Sequence, residues 1–144
     1  HIFGCDICQD VCPWNKEALK SEELRLYPYP ENVSPKLIDL MKMDVSSFKK
    51  RFKNSPVKRA KRKGFLRNVA VALGNWGNPK AIPALSMGLQ DNDTLVRIHS
   101  AWAMGQIIDK KSKILLEKAK KIEENKEVLM EIEDSLYALE KVFN

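Results

Sequence analysis

Ala70-Val71-Ala72-Leu73-Gly74 returns 31 residues later as Ala101-Trp102-Ala103-Met104-Gly105, and Leu136-Tyr137-Ala138-Leu139 continues the series 35 residues beyond that. A motif of small and apolar residues recurring at this interval, inside segments of helical periodicity, is the mark of an α-solenoid. Each helix pair in such a stack buries its apolar face on its neighbours. Small residues such as Ala70, Ala101 and Gly105 let the helices approach closely. The expected fold is all-α, a solenoid of antiparallel helix pairs.

Working outward, Phe65, Val69, Ala72 and Trp76 fall on one stripe, with Leu66, Ala70 and Leu73 beside them. Ser55-Pro56 caps the start of that segment, and Gly74-Asn75-Trp76-Gly77 ends it. Asn78-Pro79 restarts a helix carrying Ile82, Leu85 and Leu89, and Asp91-Asn92-Asp93 turns into the next, with Leu95, Ile98, Trp102 and Gly105 as its stripe. A lysine-rich helix over about 112–124 is expected to point Leu115, Ala119 and Ile122 inward. The last, about 126–143, uses Leu129, Ile132, Leu136, Leu139 and Phe143. Upstream, Ser34-Pro35 is expected to open a short helix and Asp44 to cap another over about 45–53. Residues 21–35, with three prolines and little periodicity, read as a linker.

All three cysteines lie near the start, in Gly4-Cys5-Asp6-Ile7-Cys8-Gln9-Asp10-Val11-Cys12-Pro13-Trp14-Asn15, at the spacing Cys-x2-Cys-x3-Cys-Pro. Thiolates on one tight turn suit soft metal centres, and cysteine followed by proline ends the ferredoxin run Cys-x2-Cys-x2-Cys-x3-Cys-Pro. In that run the cysteine before the proline ligates the other cluster. Cys5 and Cys8 are therefore read as ligands of one 4Fe–4S centre and Cys12 as a ligand of its neighbour, with further ligands on protein outside this sequence. A zinc turn is the alternative, although zinc wants four ligands. The chain holds two histidines, His1 and His99, the latter far off in a helix. A disulfide fits poorly with an odd count and no visible secretion signal. Beginning at His1 with the metal motif cut mid-way, the sequence reads as the C-terminal part of something longer.

The formal charge of +6 over 144 residues is unevenly spread. Residues 1–48 carry a net −3, residues 91–144 a net −2, and residues 49–90 eleven basic residues with no acid. Ten of those eleven crowd into Lys49, Lys50, Arg51, Lys53, Lys58, Arg59, Lys61, Arg62, Lys63 and Arg67. Without acids inside the block, like charges have no local partner, and a phosphate backbone would relieve their repulsion. Lys49, Lys50, Lys53, Lys58, Arg59, Lys61, Arg62, Lys63 and Arg67 are the expected nucleic-acid contacts. Phe48, Phe52 and Phe65 are interleaved with them, but two or three of these rings are expected to face the core. Arg97 is expected to bond neighbouring backbone, and His99 to sit near the ridge of the solenoid. No apolar run approaches the ~20 residues that span a bilayer, and free cysteines without an export signal point to a reducing cytoplasm.

The unit Asn78-Pro79-Lys80-Ala81-Ile82-Pro83-Ala84-Leu85 through Asp91-Asn92-Asp93-Thr94-Leu95-Val96-Arg97 resembles a HEAT-like repeat of the short, bilin-lyase type. Ile2-Phe3-Gly4-Cys5-Asp6-Ile7-Cys8-Gln9-Asp10-Val11-Cys12-Pro13-Trp14-Asn15 resembles the second cluster motif of the epoxyqueuosine reductase family. The likeness continues through Ser55-Pro56-Val57-Lys58-Arg59-Ala60-Lys61-Arg62-Lys63-Gly64-Phe65-Leu66-Arg67-Asn68 and Ala72-Leu73-Gly74-Asn75 to Val96-Arg97-Ile98-His99-Ser100-Ala101-Trp102-Ala103-Met104-Gly105. It covers about residues 1–108.

The resemblance implies a cytoplasmic oxidoreductase of queuosine biosynthesis that removes the epoxide oxygen from epoxyqueuosine in tRNA. Such enzymes use cobalamin and two 4Fe–4S clusters, with the HEAT-like domain helping to hold the tRNA anticodon stem-loop. It places Cys5, Cys8 and Cys12 among the cluster ligands, and it places the cobalamin-binding and catalytic residues upstream, in an N-terminal catalytic domain this sequence lacks. On that basis residues 1–20 are half of a two-cluster module, 21–35 a linker and 36–144 the repeat domain of a monomer inactive by itself. The rival expectation is a HEAT-repeat adaptor whose cysteine turn is vestigial or holds zinc.

Overall fold

The computed structural model describes residues 2–19, 21–24 and 27–143; His1, Lys20, Asn144, and Arg25 and Leu26 of the expected linker lie outside the described residues. Among the described residues every regular element is helical. The elements are α1 (Ile7–Asp10), α2 (Pro30–Val33), α3 (Leu37–Met41), α4 (Val45–Arg51), α5 (Lys61–Trp76), α6 (Ile82–Gly88), α7 (Thr94–Gln106), α8 (Lys110–Lys120) and α9 (Lys126–Phe143). Short 3-10 turns at Pro13–Asn15, Pro56–Ala60 and Pro79–Ala81 join some of them.

The long helices stack in two layers. Helices α5, α7 and α9 lie side by side in one; α3, α6 and α8 back them in the other, each paired with α5, α7 and α9 respectively. Short connections make the α6–α7 and α8–α9 pairs antiparallel. The caps are those the sequence announces: Asp44 Oδ1 accepts from the Ser47 amide at 2.7 Å, Asn78 Oδ1 from Lys80 at 2.9 Å and Asp93 Oδ1 from Leu95 at 3.1 Å. Each satisfies an amide that the first helical turn leaves without a carbonyl. Gly77, at φ +65°, closes α5 with its amide on the Leu73 and Gly74 carbonyls.

Close approach of α5 to α7 depends on Gly74. A Cβ built there would stand 2.9 Å from both the Ala103 Cα and the Trp102 ring. The first of these is backbone and cannot step aside, so the helices themselves would have to part. Gly74→Ala is expected to cost about 2 kcal/mol, seen as a lower urea midpoint at unchanged slope. An unaltered midpoint would mean that α5 and α7 can part without cost.

Several expected placements need correction. One continuous helix from Ser55-Pro56 does not form; a 3-10 turn runs to Ala60, and Lys61, the first residue of α5, breaks direction at φ +54° and ψ +166°. A single helix would stack Lys58, Arg59, Arg62 and Lys63 at neighbouring positions near a positive helix terminus, and the break spreads them. Trp76 is 50% exposed instead of buried, because only the edge of α3, at Leu37 and Ile38, lies alongside it in an open pocket. In α7 the expected stripe of Leu95, Ile98 and Trp102 is only partly buried, while Val96, Ala101, Ala103 and Met104 are fully buried. That helix sits mid-layer with α5, α6, α8 and α9 all packed on it, so most of its circumference is interior.

Helix α8 starts two residues early and stops at Lys120, leaving Ile122 77% exposed and Leu116 as its deepest side chain. On α9, Val128, Ile132, Leu136 and Leu139 are buried, whereas Leu129 is half-buried and Phe143 exposed. No described element packs over that face. Upstream, α3 begins at Leu37, past Ser34-Pro35, and the one-turn α2 falls inside the expected linker.

Candidate nucleic-acid interface and cysteine turn

The basic block rests on an aromatic base. Phe48 and Phe52 of the α4 region close on Phe65 of α5, with ring centroids 5.1–5.6 Å apart and tilted planes. All three rings are at most 5% exposed. They are core, as the sequence suggested, and no platform for stacked bases. Their burial clamps α4 onto α5 and turns the intervening Lys49, Lys50 and Lys53 outward, where all three are exposed.

The cations then divide. Lys49, Lys50, Lys53, Lys58, Arg59 and Lys61 are exposed, and no carboxylate of the described residues pairs with them. Lys58 donates Nζ to the Lys53 carbonyl at 2.9 Å, which ties the 3-10 turn back to the end of α4. Arg51 is spent on the linker, bonded to Asn32 Oδ1 at 2.8 Å and to the Glu31 carbonyl.

Arg62 and Lys63 find acids that the local sequence lacks. Arg62 forks onto Asp91, Nη1 to Oδ1 at 3.1 Å and Nη2 to Oδ2 at 2.6 Å, and donates Nε to the Met43 carbonyl at 2.7 Å. Lys63 lies 3.7 Å from Asp93. The block therefore has no salt bridge of its own, but two of its cations are paired from outside it. Both partners come from the next inter-helix turn, 29 residues beyond Arg62 in the first case, too far to be read from neighbouring positions.

Arg97 does bond neighbouring backbone, donating Nη1 to the Asp91 carbonyl at 2.8 Å and the Asn92 carbonyl at 3.3 Å. It also forks onto Glu123 at 2.8 and 3.1 Å. Burial pushes the Asp91 and Glu123 carboxyls up, but the bonds from Arg62 and Arg97 and from backbone amides outweigh it and leave both below their ordinary range. A groove of about 790 Å³ opens beside this pair, lined in part by Asp91, Arg97, Ile122 and Glu123. Its guanidinium is already neutralised. His99 bonds the Leu95 carbonyl of its own helix at 2.9 Å and is half-buried.

The cysteine turn is built around α1. Cys5 precedes it, Cys8 lies within it and Cys12 begins the 3-10 turn at Pro13. Asn15 donates Nδ2 to the Gln9 carbonyl at 3.1 Å and to Gln9 Oε1 at 2.6 Å, folding the Trp-Asn end back on α1. All three thiols are free, Cys5 and Cys8 exposed and Cys12 half-buried. Accessible, unbridged thiols on one short turn fit iron or zinc as donors. Among the described residues no three of His, Cys, Asp and Glu converge on one point, so the three thiols do not by themselves make a closed site for one ion. Trp14 is 88% exposed beside them.

A model of HEAT repeats matches residues 58–136, which spans α5 to α9. The epoxyqueuosine reductase of Xanthomonas campestris pv. campestris is 39% identical over 106 residues, covering 73% of this chain and 30% of that protein. The epoxyqueuosine reductase of Bacillus subtilis is 32% identical over 139 residues, 96% of this chain and 36% of the relative. An epoxyqueuosine reductase solved with a tRNA-Tyr epoxyqueuosine-modified tRNA stem loop superposes at a TM-score of 0.89 and 32% identity, over 96% of this chain and 37% of that one. The chain belongs to the epoxyqueuosine reductase family.

Within the family it spans about a third of the length of these relatives. The matched third holds the repeats and the cysteine turn together, since 96% coverage leaves room to omit neither. Among the described residues no helix is long and apolar enough to cross a membrane.

Proposed function

We propose that this chain serves in a cytoplasmic tRNA epoxyqueuosine reductase, supplying cluster ligands and a helical scaffold that grips the tRNA anticodon stem-loop. The likeness of nearly the whole chain to an enzyme solved with a modified tRNA stem loop is the observation that carries the reading. The six exposed, acid-free cations support it, because they face outward from a rigid aromatic base.

Lys49, Lys50, Lys53, Lys58, Arg59 and Lys61 would contact phosphates, which position an RNA without reading its sequence. Arg62, Lys63 and Arg67, although part of the same block, are held by Asp91, Asp93 and Asn68 and would shape the surface more than touch the RNA. Cys5, Cys8 and Cys12 would hold iron–sulfur clusters together with thiolates from outside this chain. Such clusters supply electrons singly. Cobalamin, the family's other cofactor by resemblance, is assigned no residue here; the chemistry of epoxide removal belongs to a catalytic domain beyond these residues.

RNA binding has a direct test. If about five phosphates are neutralised, log affinity should fall against log salt with a slope of roughly −4. Lys58→Glu combined with Arg59→Glu should weaken binding to an anticodon stem-loop about tenfold or more at low salt and make the slope less steep by about 2. Identical affinity and slope in the double variant would remove the basic face from the proposal. For the cysteines, anaerobic loading in a protein that includes the upstream domain should give iron with acid-labile sulfide. Zinc without sulfide would favour the adaptor reading instead.

A further inference from the structure

Residues 2–19 touch the helical stack through one side-chain hydrogen bond among the described residues. Asn68, on α5, donates Nδ2 to the Ile2 carbonyl at 2.7 Å across 66 positions of sequence. The amide is oriented from its other side, where Oδ1 accepts from Arg67 Nε at 2.8 Å. An amide with a donor bound to its oxygen and a carbonyl bound to its nitrogen has only one satisfactory orientation. The Ile2 side chain meanwhile packs against the hydrophobic core.

Two residues after Ile2 the chain turns at Gly4, whose φ of +71° an L side chain rarely adopts. Cys5 follows at once. The anchored carbonyl, the turn and the first thiol are therefore consecutive, with little slack between them.

We propose that Asn68 is a positioning residue for the cysteine turn. By clamping the Ile2 carbonyl it fixes where Cys5 and the rest of the turn sit relative to α5. The same helix opens with Lys61 and is pinned to the lysine-bearing α4 through Phe65. Thiols and phosphate-facing cations thus share one mount, and the distance between a metal centre on the turn and an RNA on the basic face is set by one helix. The value of that spacing rests on the reading given under Proposed function. The clamp itself does not.

The test is a distance distribution between nitroxide labels in the full chain. With Cys8→Ser and Cys12→Ser, one label goes on Cys5 and the other on Met87→Cys, an exposed position of α6. A narrow distribution is expected for the parent. Its width should at least double in both Asn68→Ala and Asn68→Asp. The aspartate keeps the size and attracts Arg67 more strongly, but it has no proton to give the Ile2 carbonyl, so a packing role would survive it and a donor role would not.

A control pair within the stack, Met87→Cys with Tyr137→Cys in a cysteine-free background, should keep its width in every variant. A parent that is already broad, an Asn68→Asp that stays narrow, or equal broadening of the control pair would each overturn the clamp. No metal takes part in the measurement. Failure to load iron and sulfide would count against the cluster assignment alone.

Discussion

Phe65→Ala is expected to cost about 4 kcal/mol, the usual loss for truncating a fully buried aromatic. The ring is 2% exposed and holds both Phe48 and Phe52, so its removal leaves a void that two other rings can fill only by leaving their own places. For a domain of this size the melting temperature should drop by on the order of 12 °C. Because α4 is fastened to the stack largely through these rings, the cations it carries should lose their fixed arrangement. RNA affinity should therefore fall even at a temperature where the variant is fully folded, although no charge has been altered. Thermal unfolding followed by circular dichroism, with stem-loop binding measured at low temperature, checks both. A loss below 1 kcal/mol would mean that the cluster repacks without help.

Asp91→Ala is the second large effect, expected at about 3 kcal/mol. The carboxylate is 9% exposed at its side chain and takes both ends of the Arg62 fork, whose own side chain is 21% exposed. It also accepts from the Asp93 amide at 2.9 Å, which shapes the turn into α7. Removing it leaves a partly buried guanidinium with only the Met43 carbonyl to bind.

Acidity should reproduce the effect. A carboxyl whose folded pKa lies below its unfolded one contributes stability that is complete above the unfolded value, about 4. That contribution is lost as pH falls from there through the folded value. Asp91 and Glu123 both have lowered pKa values, so the protein should lose stability below about pH 4, and Asp91→Ala should lose less over the same range. Denaturant midpoints between pH 7 and pH 3 provide the measurement. Parallel curves for the two proteins would show that the Arg62 fork contributes nothing.

Local signals carried most of the fold. The repeated small-residue motif, the caps at Asp44, Asn78 and Asp93, and the stop at Gly77 are each decided by a few adjacent residues, and each forms as the sequence implies. Local signals fall short where a residue's fate depends on what lies beyond its own helix. Periodicity assigns one inward face, but α7 has neighbours on most sides and Trp76 has almost none. The break at Lys61 falls on a residue other than glycine, so nothing in the local sequence announces it.

The candidate site divides along the same line. Cysteine spacing and the density of lysine are visible in one reading of the chain. Which cations are spoken for is not, because Arg62 meets Asp91 and Arg97 meets Glu123 only after the stack has formed. The Asn68 clamp on Ile2 is the extreme case, a bond between the cysteine segment and α5 with no trace in either stretch alone.

The two arginine forks have a mechanical consequence. Arg62 reaches forward to the turn before α7, and Arg97, rising from that turn, reaches forward to the one before α9. Successive repeats are laced along a single edge by pairs that resist stretching, while among the described residues no ion pair joins one repeat to the next along the opposite edge. A stack of this kind flexes like a book about its spine: the laced margin keeps its length and the free margin fans open or shut. Curvature should follow the ionic strength of the medium, with salt or acid loosening the spine before any helix melts.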